Sequence, residues 1–494
     1  MLWLALHLPW LPLEAVSSGT HALPRCVMEE RVVLLADDAA RAAGIVPGMS
    51  LASALSLLPA LLPLARDPVR ERSLMQVLAL AVSQCTPHLV VEQNLVRLEV
   101  QGSLRLFGGL SALLRQLRRC IDDIGLEPQL GIATTATGAA LLARCAPRHA
   151  ARATTPAHAR RLLDALPLGQ AAPALFELLH GIGCRTLGDV RALPRQGLRR
   201  RGGAELLLLL DRAYGDAPDP QTWFEPPREF AQSLELMQRA DDATTLAFAA
   251  MRLVQALAGW LACQWLGAAS FSLWLQHETR GRHALPPTRL RIELGQPSRD
   301  AAQLGLLLRE RLSRCALPAA VYGLELRLDE AVALAGHAAH LPFGSDRSGA
   351  RWHDAGQDQQ NLLALLDRLR ARFGAMHVQR WAASADHRPE KAARSLPAGD
   401  APARAIDAPP LPRPAWLLPE PLRLAEHEGR PVHGGPLLLC SRPERIEAGW
   451  FDGAPACRDY HVAVGRDHRL RWVFHERRGA LSTPSGWFLH GLFA

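Results

Sequence analysis

The stretch from residue 229 to 330 constrains this chain most. It reads as a strand (SLELM), a long helix (Thr244–Trp265), two strands (ASFSLWLQ and TRLRIEL), a second helix (Asp300–Cys315) and a last strand (VYGLELRL). That order has few ways to bury its apolar positions. The simplest is a four-stranded sheet with both helices on one face. A unit of this size leaves most of the 494 residues unaccounted for, and a chain this long needs three or four hydrophobic cores.

Upstream, short apolar strands alternate with amphipathic helices, which indicates α+β or α/β construction. Leu2–Leu8 and RVVLLAD (Arg31–Asp37) read as strands, and Leu51–Leu58 and Leu74–Val82 carry apolar residues at helical spacing. A hairpin-like pair (HLVVE, LVRLEV), a helical stretch (Leu110–Ile124), the strand PQLGIAT and an Ala/Leu-rich helix close this region. Residues 173–225 are short helices broken by Gly and Pro. Residues 331–350, rich in Gly, His and Ser, read as an exposed linker. A helix, Gln360–Phe373, precedes the Pro/Ala-rich Leu396–Pro414, a flexible tether by composition. Aromatic and strand-like segments return from Trp416 onward, a small β-rich module.

Hydrophobic residues at 48 % and charged residues at 21 % fit a globular protein. The formal charge of +8 rests almost wholly on Arg, since Lys391 is the only lysine. A basic surplus favours polyanions, and the guanidinium fork suits phosphate. A GC-rich genome also replaces Lys with Arg, so charge alone is modest support for nucleic-acid binding. Nine cysteines without a C-x-x-C pair argue against disulfides or a zinc ribbon and for a reducing cytoplasm. No apolar run is read as long enough to span a bilayer. The first sixteen residues lack a basic start and a cleavage site, so they read as a buried strand rather than a signal peptide.

The sharpest local motif is LFELLHGIGCRTLGDVRALPRQGLRRR (Leu175–Arg201), the layout of a helix–hairpin–helix. Gly181-Ile182-Gly183 would bring the backbone near a phosphate, and amides at the second helix's start, around Arg185 and Thr186, would donate to it. Arg185, Arg199, Arg200 and Arg201 would add sequence-independent attraction. A G-x-G between helices is also an ordinary tight turn, and an Arg run is also an ordinary solvated face. Their adjacency favours DNA.

The order of these pieces resembles a Y-family (UmuC-like) DNA polymerase: palm and fingers, helix–hairpin–helix thumb, then a βαββαβ little finger. VVLLADDAARAAGIVPGMSLASALSLLP is similar to that family's fingers, LVRLEVQGSLRLFGG to its palm strand and turn, and LGIATTATGAALLA to the strand–loop–helix after it. The resemblance covers roughly residues 1–330. It implies palm and fingers over 1–165, thumb over 166–226, little finger over 227–332, a linker over 333–415 and a C-terminal interaction module over 416–494.

The resemblance also implies a two-Mg²⁺ site held by carboxylates, one ending the first strand and a pair just before LVRLEV. Here those positions carry His7, Asn94 and Leu95. Imidazole suits hard Mg²⁺ poorly, a carboxamide is neutral, and Leu cannot ligate. The sugar-selecting aromatic falls at Pro12, and the triphosphate-binding Tyr and Lys fall at Asp38 and Ala136, while Arg41 is kept. The expectation is therefore a protein with no catalytic residues, no metal and no cofactor. Mg²⁺ would enter only under the alternative of an active low-fidelity polymerase using displaced carboxylates such as Glu92 or Glu99.

The tail, RPERIEAGWFDGAPACRDYHVAVGRDHRLRWVFHE and GWFLHGLFA, resembles that of the ImuB family, the non-catalytic Y-family-like subunits of bacterial mutagenesis cassettes. That resemblance implies DNA repair, SOS-induced translesion synthesis and mutagenesis in a nucleoid-associated cytoplasmic protein, with no membrane partner. The implied partners are damaged or primed DNA, the β sliding clamp, the RecA-like ImuA and an error-prone C-family polymerase. In AAHLPFG, Leu341 and Phe343 stand in register for a clamp-binding peptide, with Ala338 where Gln is usual. An ordinary turn reads the same way. Trp487, Phe488, Leu489 and Phe493 are read as an exposed partner-binding segment, although a small β module also needs aromatics for its own core. A DNA-binding repair factor whose tail serves another pathway is the third reading.

Overall fold

In the computed structural model, which describes residues 1–17, 23–146, 152–171, 175–278, 285–334, 362–397, 412–477 and 485–493, the first strand, β1 (Trp3–His7), is buried on both faces. Leu2, Leu4, Leu6 and Leu8 enter one core cluster, and Trp3 and Ala5 enter a second. Two-sided burial is why this segment has no polar alternation. After helix α1 (Leu11–Val16), β2 (Arg25–Glu29), β3 (Val32–Ala36) and β4 (Leu62–Ala65) form a small sheet in the order β3-β2-β4, accompanied by α2 (Asp38–Ala42) and α3 (Leu51–Leu57). Only β3 had been read as a strand. β2 and β4 are too short to show a period.

The palm-like sheet is completed by α4 (Pro68–Val82), β5 (Leu89–Val91), β6 (Leu95–Glu99), α5 (Leu104–Phe107), α6 (Leu110–Ile124), β7 (Gln129–Ala133) and α7 (Ala136–Cys145). Its strand order is β5-β6-β1-β7, with β1 antiparallel to both neighbours. Six short helices follow: α8 (Pro156–Asp164), α9 (Leu168–Ala171), α10 (Phe176–Gly181), α11 (Leu187–Ala192), α12 (Arg195–Arg200) and α13 (Ala204–Tyr214). Leu163, Leu179, Leu187, Leu198 and Leu207 join the core that holds Trp3 and Ala5, so this thumb-like part is rooted on one face of the sheet.

The constraining stretch folds as its order demands. β8 (Ala231–Ala240), α14 (Ala243–Cys263), β9 (Leu266–His277), β10 (Thr288–Ser298), α15 (Ala301–Leu312) and β11 (Val321–Ala333) make a four-stranded sheet in the order β10-β9-β11-β8. Helix α14 is long and apolar enough, by length and composition, to cross a membrane, which corrects the reading that no run reaches that length. Most of its apolar stretch is buried, because its other side packs on α4 and α6. A helix apolar all round must be covered all round. The approach is closest at Gly259, where a Cβ would come within 1.7 Å of the Leu80 carbonyl oxygen. At the same seam, Gln84 Nε2 donates to Gln255 Oε1 at 2.9 Å, and Gln255 Nε2 donates to Asp123 Oδ2 at 2.5 Å.

The helix expected at Gln360–Phe373 is present. A helix over residues 362–373 docks on the little-finger-like sheet, its Asp367 Oδ1 accepting from the Gly295 amide at 2.7 Å. The chain divides into two compact units after Arg372, not at residue 416. The second unit begins with an unforeseen hairpin, β12 (Gln379–Ala383) and β13 (Ala393–Pro397). Arg388, 2 % exposed, ties that hairpin to the rest of the unit by binding both Asp386 and Asp452. The remainder comprises β14 (Trp416–Arg423), the ribbon β15 (Ala425–His427) and β16 (Arg430–Val432), β17 (Leu438–Leu439), β18 (Glu444–Ala448), β19 (Ala456–Val464), β20 (Leu470–Glu476) and β21 (Gly486–Leu492). Its main sheet runs β14-β21-β20-β19-β17, with β18 paired to β19. A β-rich module was expected here and is present. The described residues are α+β, with the strands and helices in the expected order and a β-rich module after them.

Candidate palm site and nucleic-acid interface

Strand pairing brings the three residues at the implied metal positions to one end of the palm-like sheet. His7 ends β1 and lies opposite Leu95 of β6 on one side and Gln129 of β7 on the other. Asn94 directly precedes β6, and its Nδ2 is 3.3 Å from His7 Nε2. Leu95 is 1 % exposed and packs in the core with Trp3, Ala5 and Ala133. Burial, reinforced by Arg144, holds the His7 pKa below its ordinary value despite an opposing hydrogen bond with Gln129. A neutral imidazole, a carboxamide and an alkyl chain therefore stand together, and none is a strong donor to Mg²⁺.

Of the displaced carboxylates, Glu92 stands beside the site, its amide donating to the Leu95 carbonyl at 2.8 Å, and Glu99 stands away from it. Glu99 pairs opposite Trp3, at the far end of β1, and accepts from the Gln101 amide at 3.1 Å. Four residues of strand separate it from Leu95, about 13 Å. Glu92 is held by Arg97 and, at 3.4 Å, by Arg144. Among the described residues, no group of three or more His, Cys, Asp or Glu could hold a metal ion. Pro12 lies in the first turn of α1, and Ala136, buried, opens α7. The retained Arg41 stacks 4.5 Å over the Trp10 ring and pairs with Asp38.

The hairpin forms where the sequence puts it. Helix α10 ends at Gly181, Gly183 takes φ +90°, and Thr186 caps α11. That positive φ needs glycine. Thr186 and Asp189 form a capping box, and Asp189 Oδ2 accepts from the amides of both Arg185 and Thr186 at 2.9 Å. The two amides expected to face a phosphate thus already have an acceptor, which the motif alone did not reveal. What stands open is side chains. Arg191 and Arg195 pair with Asp164 and Asp211. By contrast, Arg199, Arg200 and Arg201 are exposed and have no acidic partner among the described residues, while the exposed Arg185 has Asp189 beside it. Ile182, 49 % exposed, sits at the tip.

A second arginine-bearing surface went unnoticed in the sequence, with Arg289 paired to Asp329, Arg291 to Glu293 and Arg327 to Glu325. On the helix-free face of the little-finger-like sheet, Arg289 and Arg327 lie 5.3 and 5.5 Å from the Trp274 ring, and Arg291 lies on the same face of β10 as Arg289. Their only sequence signal was alternation within TRLRIEL and VYGLELRL, which becomes a cluster of arginines and their paired acids around Trp274 once β9 lies between β10 and β11.

The terminal segment read as an exposed partner site is corrected. Strand β21 is paired on both sides, by β14 and β20. Trp487 is 7 % exposed and Leu489 4 %, both in one core, while Phe488 and Phe493 pack against another. A strand inside a sheet cannot offer its apolar side chains outward when both faces are covered. Among the exposed aromatics of this unit, which include Trp381 and Trp416, Trp450 and Phe451 lie side by side between β18 and β19, at 74 % and 72 %. Leu341 and Phe343 lie outside the described residues.

Residues 15–144 match the impB/mucB/samB family. The chain is similar to Protein ImuB of Caulobacter vibrioides strain NA1000/CB15N, with 27 % identity over 479 residues, 91 % of this chain and 100 % of the relative; the protein of the same name from strain ATCC 19089/CB 15 matches equally. Among solved structures, a Dbh ternary complex aligns with 16 % identity and a TM-score of 0.39, and DinB from Sulfolobus solfataricus with 16 % identity and 0.38. Each covers 68 % of this chain and 100 % of its own.

Proposed function

From a chain similar to ImuB along most of its length, with an impB/mucB/samB-family segment in its palm and fingers, we propose a catalytically silent scaffold for translesion synthesis. The observation that carries this reading is the meeting of His7, Asn94 and Leu95 at one end of β1 and β6. Two-metal phosphoryl transfer needs hard anionic oxygens at such a point. Grip on DNA falls to Gly181–Gly183 and the open arginines of the hairpin, with the Trp274 face of the little finger as a second contact. Contacts of this kind are to phosphate and so read no sequence.

The scaffold's partners are the β sliding clamp, through Leu341 and Phe343, together with the RecA-like ImuA and an error-prone C-family polymerase. Trp450 and Phe451 are where we place an aromatic anchor for a protein partner, since exposed Trp beside Phe is unusual on a solvated hairpin. Its place of action is the nucleoid.

Primer extension with purified protein and Mg²⁺ tests the reading: no incorporation is expected. Robust synthesis abolished by Glu92→Ala or Glu99→Ala would establish the active-polymerase alternative. A pull-down comparing wild type with Trp450→Ala/Phe451→Ala tests the partner surface, where at least a tenfold loss of recovered partner is expected. Unchanged recovery would remove that surface from the reading.

A further inference from the structure

A cavity of about 550 Å³ opens at the seam where α1 and α4 of the palm-like region meet β8 and α14 of the little-finger-like region. Its walls are largely apolar, with Leu74, Val77, Leu234 and Leu253 among them. Five ionisable groups interrupt that surface: Asp67 and Glu235 pair with Arg70, which leaves Glu14 and Arg252. Arg252 sits on the otherwise apolar α14, and none of its guanidinium nitrogens has a hydrogen-bond partner among the described residues. Its Nη2 lies beside Gly125, the C-cap of α6, where the negative end of the helix dipole favours a cation without neutralising it. Glu14 Oε1 accepts from the Glu127 amide at 2.8 Å, whereas Oε2 has no partner. Burial raises the Glu14 pKa to about 7 against the opposing pull of Arg252, so near neutrality part of this carboxyl is uncharged and it offsets Arg252 only in part.

A guanidinium with no hydrogen-bond acceptor and a partly protonated acid for its neighbour is costly against apolar walls unless something supplies a further acceptor. We infer that this seam cavity binds an amphiphilic organic monoanion, a carboxylate whose apolar chain lies along Leu74, Val77 and Leu253 while its headgroup meets Arg252. A protonated Glu14 would donate to the same headgroup. The volume lies in the range of small-molecule sites, enough for a chain of roughly ten carbons. Because the walls come from two domains, the occupant ties them together. Arg70 already spans the mouth from α4 to Glu235 of β8 at 2.5 Å.

Isothermal titration of the full-length protein with decanoate, below its micelle concentration and with decanol as the uncharged control, tests this. One saturable site per chain is expected, with decanol at least tenfold weaker. Arg252→Met should weaken decanoate at least tenfold, and Arg252→Lys should recover part of that loss. Ser73→Trp, an exposed lining position on α4, should block the site while leaving both ionisable groups in place. No saturable binding to wild type, decanol binding as tightly as decanoate, or Ser73→Trp binding like wild type would each overturn the inference. If Arg252→Met does not fold, the decanol and Ser73→Trp arms decide it.

Discussion

The end of the palm-like sheet and the thumb hairpin share one hydrophobic core yet treat charge in opposite ways. At the sheet end, the carboxylates expected of the fold give way to a low-pKa imidazole, an amide and a buried leucine, while Glu92 is held by two arginines. At the hairpin, Arg199, Arg200 and Arg201 are exposed and have no acidic partner among the described residues, although acids nearby pair with Arg191 and Arg195. Attraction for a polyanion and stabilisation of a reacting phosphate are separable. The first needs only exposed cations on a framework, whereas the second needs anionic oxygens converging on a point.

The largest effect should come from forcing the palm back toward chemistry. Leu95→Glu places a carboxylate at a site 1 % exposed, and an uncompensated buried charge should cost about 4 kcal/mol. Chemical denaturation should show a large loss of stability in the first unit, and primer extension should still show no incorporation. A well-folded Leu95→Glu protein that incorporates nucleotides would break the contrast.

Next comes the hairpin. Changing Arg185, Arg199, Arg200 and Arg201 together to Ala should lower DNA affinity on the order of a hundredfold at low salt. The log–log salt dependence should flatten by up to about 3.6, if each arginine neutralises one phosphate. Fluorescence anisotropy measures both. His7→Gln in the same assay should stay within about twofold of wild type.

A smaller effect concerns pH. The His7 pKa is depressed in the folded protein, so its contribution to stability is complete above the ordinary histidine range. That contribution fades as pH falls through the lowered value. His7→Gln should therefore remove part of the acid sensitivity of the first unit, by less than about 1 kcal/mol, leaving stability at pH 8 nearly unchanged. An equal difference between wild type and variant at pH 8 and pH 5 would show that His7 does not titrate as the palm geometry requires. Least of all, Asn94→Ala should cost about 0.5 kcal/mol, since its contact with His7 is long at 3.3 Å.

Much of the fold was legible because local pattern and burial agree. The βαββαβ order from 229 to 330 needed only the alternation of apolar residues, and the hairpin needed only Gly181 and Gly183 between helices. Legibility failed where a contact distant in sequence decided the outcome. β2 and β4 carry too few residues to show a period. Trp487 and Leu489 look like a sticky terminus until β14 and β20 close on either side of them. Arg185 and Thr186 offer amides to a phosphate until Asp189 takes both.

By itself, the sequence determined which chemistry the palm positions can offer, because no folding turns His7, Asn94 and Leu95 into carboxylates. It also determined the domain order and the hairpin's surplus of arginine. Only the tertiary structure decided that those three residues meet, that Glu99 stands at the opposite end of the sheet, and that Arg252 and Glu14 face one cavity. Residue type sets what a side chain can do. Strand register and helix packing set what it can reach, and those depend on contacts between segments far apart along the chain.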